Sequence, residues 1–168
     1  MPRWRGITKR NMAMRTVDIQ IGDWVRLRYK SYPENKEVVA DFRVSQIVVH
    51  GPKMYAWSKE SGNMGPVVDL EPIPVTPEFL EKNGFSLSES TDVGDEYVYA
   101  ADRDKCPQTI VAFSIYNEPV AGARSLVRCW TKPDGVDGQN DAHICNVRYV
   151  HELQHILKIC GIDKDIVL

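Results

Sequence analysis

Residues 151–155 read His-Glu-Leu-Gln-His. On a helix this spacing puts two imidazoles one turn apart, where they can share a zinc ion, with a carboxylate beside them to activate a zinc-bound water. His151 and His155 would be the ligands and Glu152 the base. The surrounding sequence weighs against that chemistry. Projected at about 100° per residue, Tyr149, Val150, Leu153, Ile156, Leu157 and Cys160 gather on one side. The two histidines lie nearly opposite, flanked by Arg148, Gln154 and Lys158. The motif thus falls on the polar face of an amphipathic helix, and two cations beside it oppose a dication. Position 158 is Lys, so the extended H-E-x-x-H-x-x-G-x-x-H pattern fails. No His or Glu follows His155, and Asp163 and Asp165 lie just past the helix. The expectation is no catalytic residue, no metal and no cofactor, with a zinc hydrolase built on Glu152 as the alternative. A structural zinc is the variant: His143 and Cys145 share one face of a strand and would join His151 and His155 in a closed four-ligand site. The plain reading of that pair is an alternating strand with one buried thiol.

Other constellations carry less. Asp134, Asp137 and Asp141 lie in one loop without EF-hand spacing. Glu71, Glu78, Asp102 and Asp104 have no partner visible in the sequence, and no G-x-S-x-G, P-loop or G-x-G-x-x-G is present. Trp24, Tyr55 and Trp57 line an exposed aromatic groove on one reading and a core on the other. Together with Arg148 and Lys158 they are the candidate contact residues for a protein partner. Arg3, Arg5, Lys9, Arg10 and Arg15 stand without an acid among them. They read as a flexible leader, or as translation upstream of a natural start at Met14. The sharper alternative is an arm that folds against nucleic-acid phosphates, with Trp4 stacked on a base.

The elements that must position these residues read mostly as strands. After Val17, Ile19 and Ile21, Gly22-Asp23 turns the chain. Trp24–Tyr29 then alternates, with Val25, Leu27 and Tyr29 opposite Arg26 and Arg28. Ser31–Lys36 is a turn. Val38–His50 is one long strand or a bent pair, and Gly51-Pro52 turns into the strand Lys53–Ser58. Ser61–Asn63 is a further turn, and Pro66–Ile73 a proline-flanked edge strand. The spacing predicts a small, bent, SH3-like barrel. Thr76–Asn83 is a short helix with Thr76 as N-cap, Pro77 at N1 and Gly84 at C′, docked on the barrel through Phe79 and Leu80. Ser86–Glu96 reads as a linker. Strands at Tyr97–Ala101, Thr109–Tyr116 and Arg124–Thr131 follow, with Asn117–Gly122 joining the last two. Lys132–Asp141 is a loop and His143–Val147 a short strand. The closing helix runs from Val147 to Cys160, with Asn146 as N-cap and Gly161 as C′. The fold class is α+β, mostly β. The modules are a leader over 1–15, the barrel and helix over 16–85, a linker over 86–96, and a sheet with its C-terminal helix over 97–168.

Composition bounds the function classes. The chain has 168 residues, 43% hydrophobic and 26% charged, with a net charge of −2. That is a globular balance with no overall pull toward nucleic acid or a membrane. No apolar run approaches the ~20 residues of a membrane span, and the N-terminus lacks the apolar core of a secretory signal. Cys106, Cys129, Cys145 and Cys160 are spread without a C-x-x-C. They read as reduced core thiols of a cytoplasmic protein, with two disulfides in a secreted protein as the alternative.

Three segments in order carry a resemblance: Ile21-Gly-Asp-Trp-Val25, Asp69–Phe85 (DLEPIPVTPEFLEKNGF) and Val147–Ile162 (VRYVHELQHILKICGI). Together they resemble a family of uncharacterised small proteins of gut Bacteroidota, their phages and mobile elements. The resemblance spans most of residues 17–162. It implies no activity and transfers no catalytic residue. Asn often stands in the family at the position of His155, which implies that the helix is a folding or interaction element and HELQH its chance variant. A non-enzymatic binding or accessory protein with a protein partner is the expectation.

Overall fold

The computed structural model describes residues 19–100, 108–120, 123–132 and 140–168. The basic residues Arg3 to Arg15, Trp4, Met14, Asp102, Asp104, Cys106, Asp134 and Asp137 lie outside them. The chain forms two compact units, residues 1–73 and 74–168.

In the first unit, β1 (Trp24–Lys30) lies between β2 (Glu37–Arg43) and the two-residue β6 (Leu70–Glu71). A second sheet has the order β3 (Gln46–His50), β4 (Lys53–Trp57), β5 (Met64–Pro66). The stretch 38–50 is therefore a bent pair of strands. Its bend is built by backbone hydrogen bonds. Val44 donates to Asp23 O at 2.9 Å and accepts from Gly22 N at 2.7 Å, while the next residue, Ser45, donates to Trp57 O at 2.8 Å. Two adjacent residues thus bond to the segment preceding β1 and to the end of β4, and the chain crosses over between them. Val25, Leu27, Phe42, Val44, Ala56, Val67 and Leu70 form the core, with Ile47 and Met54 packed against it. Burying apolar area of this kind stabilises by about 25 cal/mol per Å². β5 comes so close to β1 that a Cβ on Gly65 would meet Leu27 Cδ1 at 2.9 Å.

The expected SH3-like barrel is present as far as two three-stranded sheets over one core; among the described residues no ladder closes them. Two further expectations are corrected here. Pro66–Ile73 is not one strand, because a 3-10 turn at Val67–Asp69 drives Val67 into the core and separates β5 from β6. Tyr29, on the same side as Val25 and Leu27, is exposed, because β1 runs past the end of the core.

The second unit opens with α1 (Pro77–Lys82). Thr76 Oγ1 accepts from Phe79 N at 3.2 Å, Pro77 stands at N1, and Gly84 takes a positive φ of 75°. Glu78, near the positive helix start, is held below the usual carboxylate range by hydrogen bonds from its own backbone N–H and the Thr76 hydroxyl. The helix falls within this unit. It is tied to the chain end: Asn83, 2% exposed, donates through Nδ2 to Phe79 O (2.9 Å) and Val167 O (2.8 Å) and accepts at Oδ1 from Val167 N (3.0 Å). Ile162 and Ile166 are buried beside that tie, and the Lys164 ammonium lies 4.7 Å from the Tyr99 ring centroid.

A five-stranded antiparallel sheet follows, made of β7 (Ser86–Ser90), β8 (Gly94–Ala100), β9 (Gln108–Val120), β10 (Ala123–Lys132) and β11 (Asn140–Asn146), each beside its neighbours in the chain. The expected linker 86–96 is thus an edge strand and a tight turn. Its serines satisfied a loop signal, but pairing to β8 overrode it. Gly94 allows the close approach, since a Cβ there would sit 2.1 Å from Ile115 O. The connector expected at Asn117–Gly122 is strand as far as Val120, and the expected loop 132–141 is strand at both ends. Tyr97, Phe113 and Val127 make one buried cross-strand row. The last helix, α2 (Val150–Ile159), ends at Gly161 with a positive φ of 73°.

Asn83→Ala removes three hydrogen bonds at a buried site. We expect about 2–3 kcal/mol of lost stability, read as a lower urea midpoint. Asn83→Asp, which keeps only the acceptor, is expected to recover a minor part of it.

Candidate functional site

The residues before α2 decide what HELQH is. Val147 is buried and its carbonyl accepts the Ser125 hydroxyl. Arg148 O accepts from Val75 N at 3.0 Å, and Tyr149 bridges Pro74. Residues 147–149 are therefore held extended. The helix starts three residues later than the sequence pattern suggests, with Tyr149 and not Asn146 as N-cap. The first helical bond is Leu153 N to Tyr149 O at 3.1 Å.

Glu152 is consequently the third residue of the helix. Its carboxylate turns back and accepts from Arg148 N at 2.8 Å and from Tyr149 N at 3.2 Å. This is the glutamate half of a capping box; an N-cap tyrosine has no short side-chain oxygen to supply the other half. A carboxylate in that position also meets the positive end of the helix dipole. The group that would serve as a zinc-site base is engaged in starting the helix.

The histidines depart from the expected polar face. His151 is 4% exposed, buried along with Val150, Leu153 and Leu157. Its ring lies nearly parallel to Tyr149, 6.0 Å between centroids and 9° between planes. The helical wheel misplaces it because the first turn of α2 is enclosed on more than its apolar side. His155 is half-buried, edge-on to His151 at 5.9 Å. Ile159, one turn further, is exposed. Among the described residues no three His, Cys, Asp or Glu side chains converge as a metal site. Cys145 is half-buried opposite Val127. His143 pairs with Cys129 in the ladder, and its side chain lies outside the described residues. Arg148 and Lys158 are exposed.

The aromatic candidates divide between two surfaces. Trp24 shares the outer face of the first sheet with Arg26 and Arg28. There Arg26 forms a two-pronged pair with Asp41 (2.6 and 2.7 Å), and Arg28 Nε meets Glu71 at 2.7 Å. Tyr55 and Trp57 stand on the outer face of the second sheet, since Ala56 between them is buried. In the ladder Tyr55 is flanked by Val48 and Pro66, and Trp57 by Gln46 and Met64. Val48 is 38% and Met64 58% exposed. This apolar face borders a groove of ≈ 470 Å³ walled by Pro52, Lys53, Met54, Pro66, Val68 and Asp69. Sequence reasoning named the two aromatic rings. It missed Val48, Met64 and Pro66, which become their neighbours only through strand register. A smaller concavity of ≈ 180 Å³ lies beside Glu96, Ser114 and Arg128. There Glu96 accepts from both Ser114 and Arg128.

If Glu152 acts as a cap, Glu152→Ala costs about 1 kcal/mol and Glu152→Gln much less, measured by thermal or urea unfolding. Equal stability in all three proteins would remove the capping assignment. No helix among the described residues is long and apolar enough to cross a membrane. Compared with known proteins, the chain matches no family model, no curated protein and no solved structure.

Proposed function

We propose that this chain is a non-enzymatic binding protein and that the outer face of the β3–β4–β5 sheet is its contact surface. The observation that carries the reading is the cluster of Val48, Tyr55, Trp57, Met64 and Pro66, brought side by side by strand register and left partly open. Tyr and Trp anchors beside aliphatic groups are the composition of protein-contact surfaces, and the adjoining groove gives an anchor from the partner somewhere to enter. Lys53 and Asp69 at its rim offer one charge of each sign for orientation. The resemblance to small proteins of Bacteroidota phages and mobile elements supports an accessory role in the cytoplasm of the host. Hydrolysis gains no support from α2, where Glu152 caps the helix and His151 is packed inside.

Capture from host lysate with the wild-type chain and with a Tyr55→Ser/Trp57→Ser variant tests the surface. Both positions are only half-buried, so the variant is expected to fold, checked by circular dichroism, and to lose the bound protein. Equal capture by both would refute the assignment of the face. Untagged protein purified with added zinc is expected to hold no stoichiometric metal. About one zinc per chain, lost on His151→Ala, would restore the hydrolase reading.

A further inference from the structure

A strand at the edge of a sheet presents unpaired N–H and C=O groups, and proteins blunt such edges with charges, proline, bulges or shortness. The described edges of this chain follow the rule with one exception. β2 carries Glu37, Asp41 and Arg43, β5 contains Pro66, and β6 is two residues long and holds Glu71. β7 carries Glu89 and a register shift between Leu87 and Glu89. β11 carries Asp141 and pairs across a register shift in β10. β3 reads Gln-Ile-Val-Val-His, with no carboxylate, lysine, arginine or proline, and pairs with β4 in unbroken register. It is the terminal strand of its sheet. Val48 and Val49 are exposed, Val49 at 67%.

We infer that β3 is an association edge that pairs antiparallel with β3 of a second copy of the chain. The sequence is self-complementary about its centre. A two-fold axis at Val48 sets Val48 against its own copy, Ile47 against Val49 and Gln46 against His50, and no like charges of Lys, Arg, Asp or Glu meet. This is the self-matching patch that a two-fold interface requires. β-branched residues suit the pleated, half-buried surface that such a ladder makes. The ladder joins the two β3–β4–β5 sheets into one six-stranded sheet and puts both copies' Val48 side chains on its outer face. Five residues per copy bury an area at the small end for protein interfaces, so the dimer is concentration-dependent. The pairing uses the edge of the sheet and stands whether or not its outer face takes a partner.

Mass measured by sedimentation or light scattering, from micromolar to submillimolar chain concentration, tests the inference. The wild type is expected to rise toward twice the chain mass. Val48→Lys and Val48→Glu each place like charges across the axis and are expected to weaken the dimer by about tenfold or more, with unchanged circular dichroism. An equimolar mixture of the two variants is expected to recover it, because Lys then faces Glu. A wild type that stays monomeric throughout, or a Val48→Lys protein that dimerises like the wild type, overturns the proposal. Failure of the mixture to recover association would also count against a β3 axis.

Discussion

The strand-to-helix junction at Val147–Tyr149 is the constraint on which the second unit turns. A backbone leaving a sheet for a helix strips three or four residues of regular partners, and each buried group left unsatisfied costs roughly 1–3 kcal/mol. Here every step of the transition is answered. Ser125 bonds Val147 O, Val75 bonds Arg148 O, Pro74 bridges Tyr149, and Glu152 collects the N–H groups of Arg148 and Tyr149. The helix therefore starts at Val150 with one orientation, and that start sets the surroundings of His151, Glu152 and His155. The motif's environment follows from how the helix is begun.

The first unit is organised by an analogous handover. Val44 bonds to the segment preceding β1, and Ser45 bonds to the end of β4. A chain that changes partners between adjacent residues cannot continue as one long strand, and the second hairpin folds back over the core of the first. Leu27 then meets Gly65, where a Cβ would force the Leu27 side chain to shift. With the inner faces committed to one core, the outer faces diverge in character. One is closed by cross-strand ion pairs. The other keeps aromatic and aliphatic groups half open beside the groove at Lys53 and Asp69.

Much of the secondary structure was legible because it rests on local rules. Thr76-Pro77 with Gly84 marked α1, Gly51-Pro52 and Gly62 marked hairpin turns, and alternation marked β1. The misreadings have a common cause. Ser86–Ser90 carries loop composition but becomes a strand because β8 supplies its partner; Val147–Tyr149 carries helical periodicity but stays extended because Val75 and Pro74 take its backbone. In both places bonds to residues distant in the chain outweighed the local preference.

Local sequence suffices for the mostly-β character, the short capped helix, and an amphipathic closing helix whose Val150, Leu153 and Leu157 face inward. Those features depend on side-chain period and on turn and cap chemistry, which act over a few residues. Long-range packing is what leaves the sheets unclosed among the described residues, lets Asn83 grip Val167, puts His151 inside, and gives Tyr55 and Trp57 a face shared with Val48 and Met64. Each of those facts is a long-range pairing, and register across strands or contact across a unit cannot be read from one segment at a time. The HELQH helix shows both levels: its existence is local, and the roles of its histidines and glutamate come from what packs around its first turn.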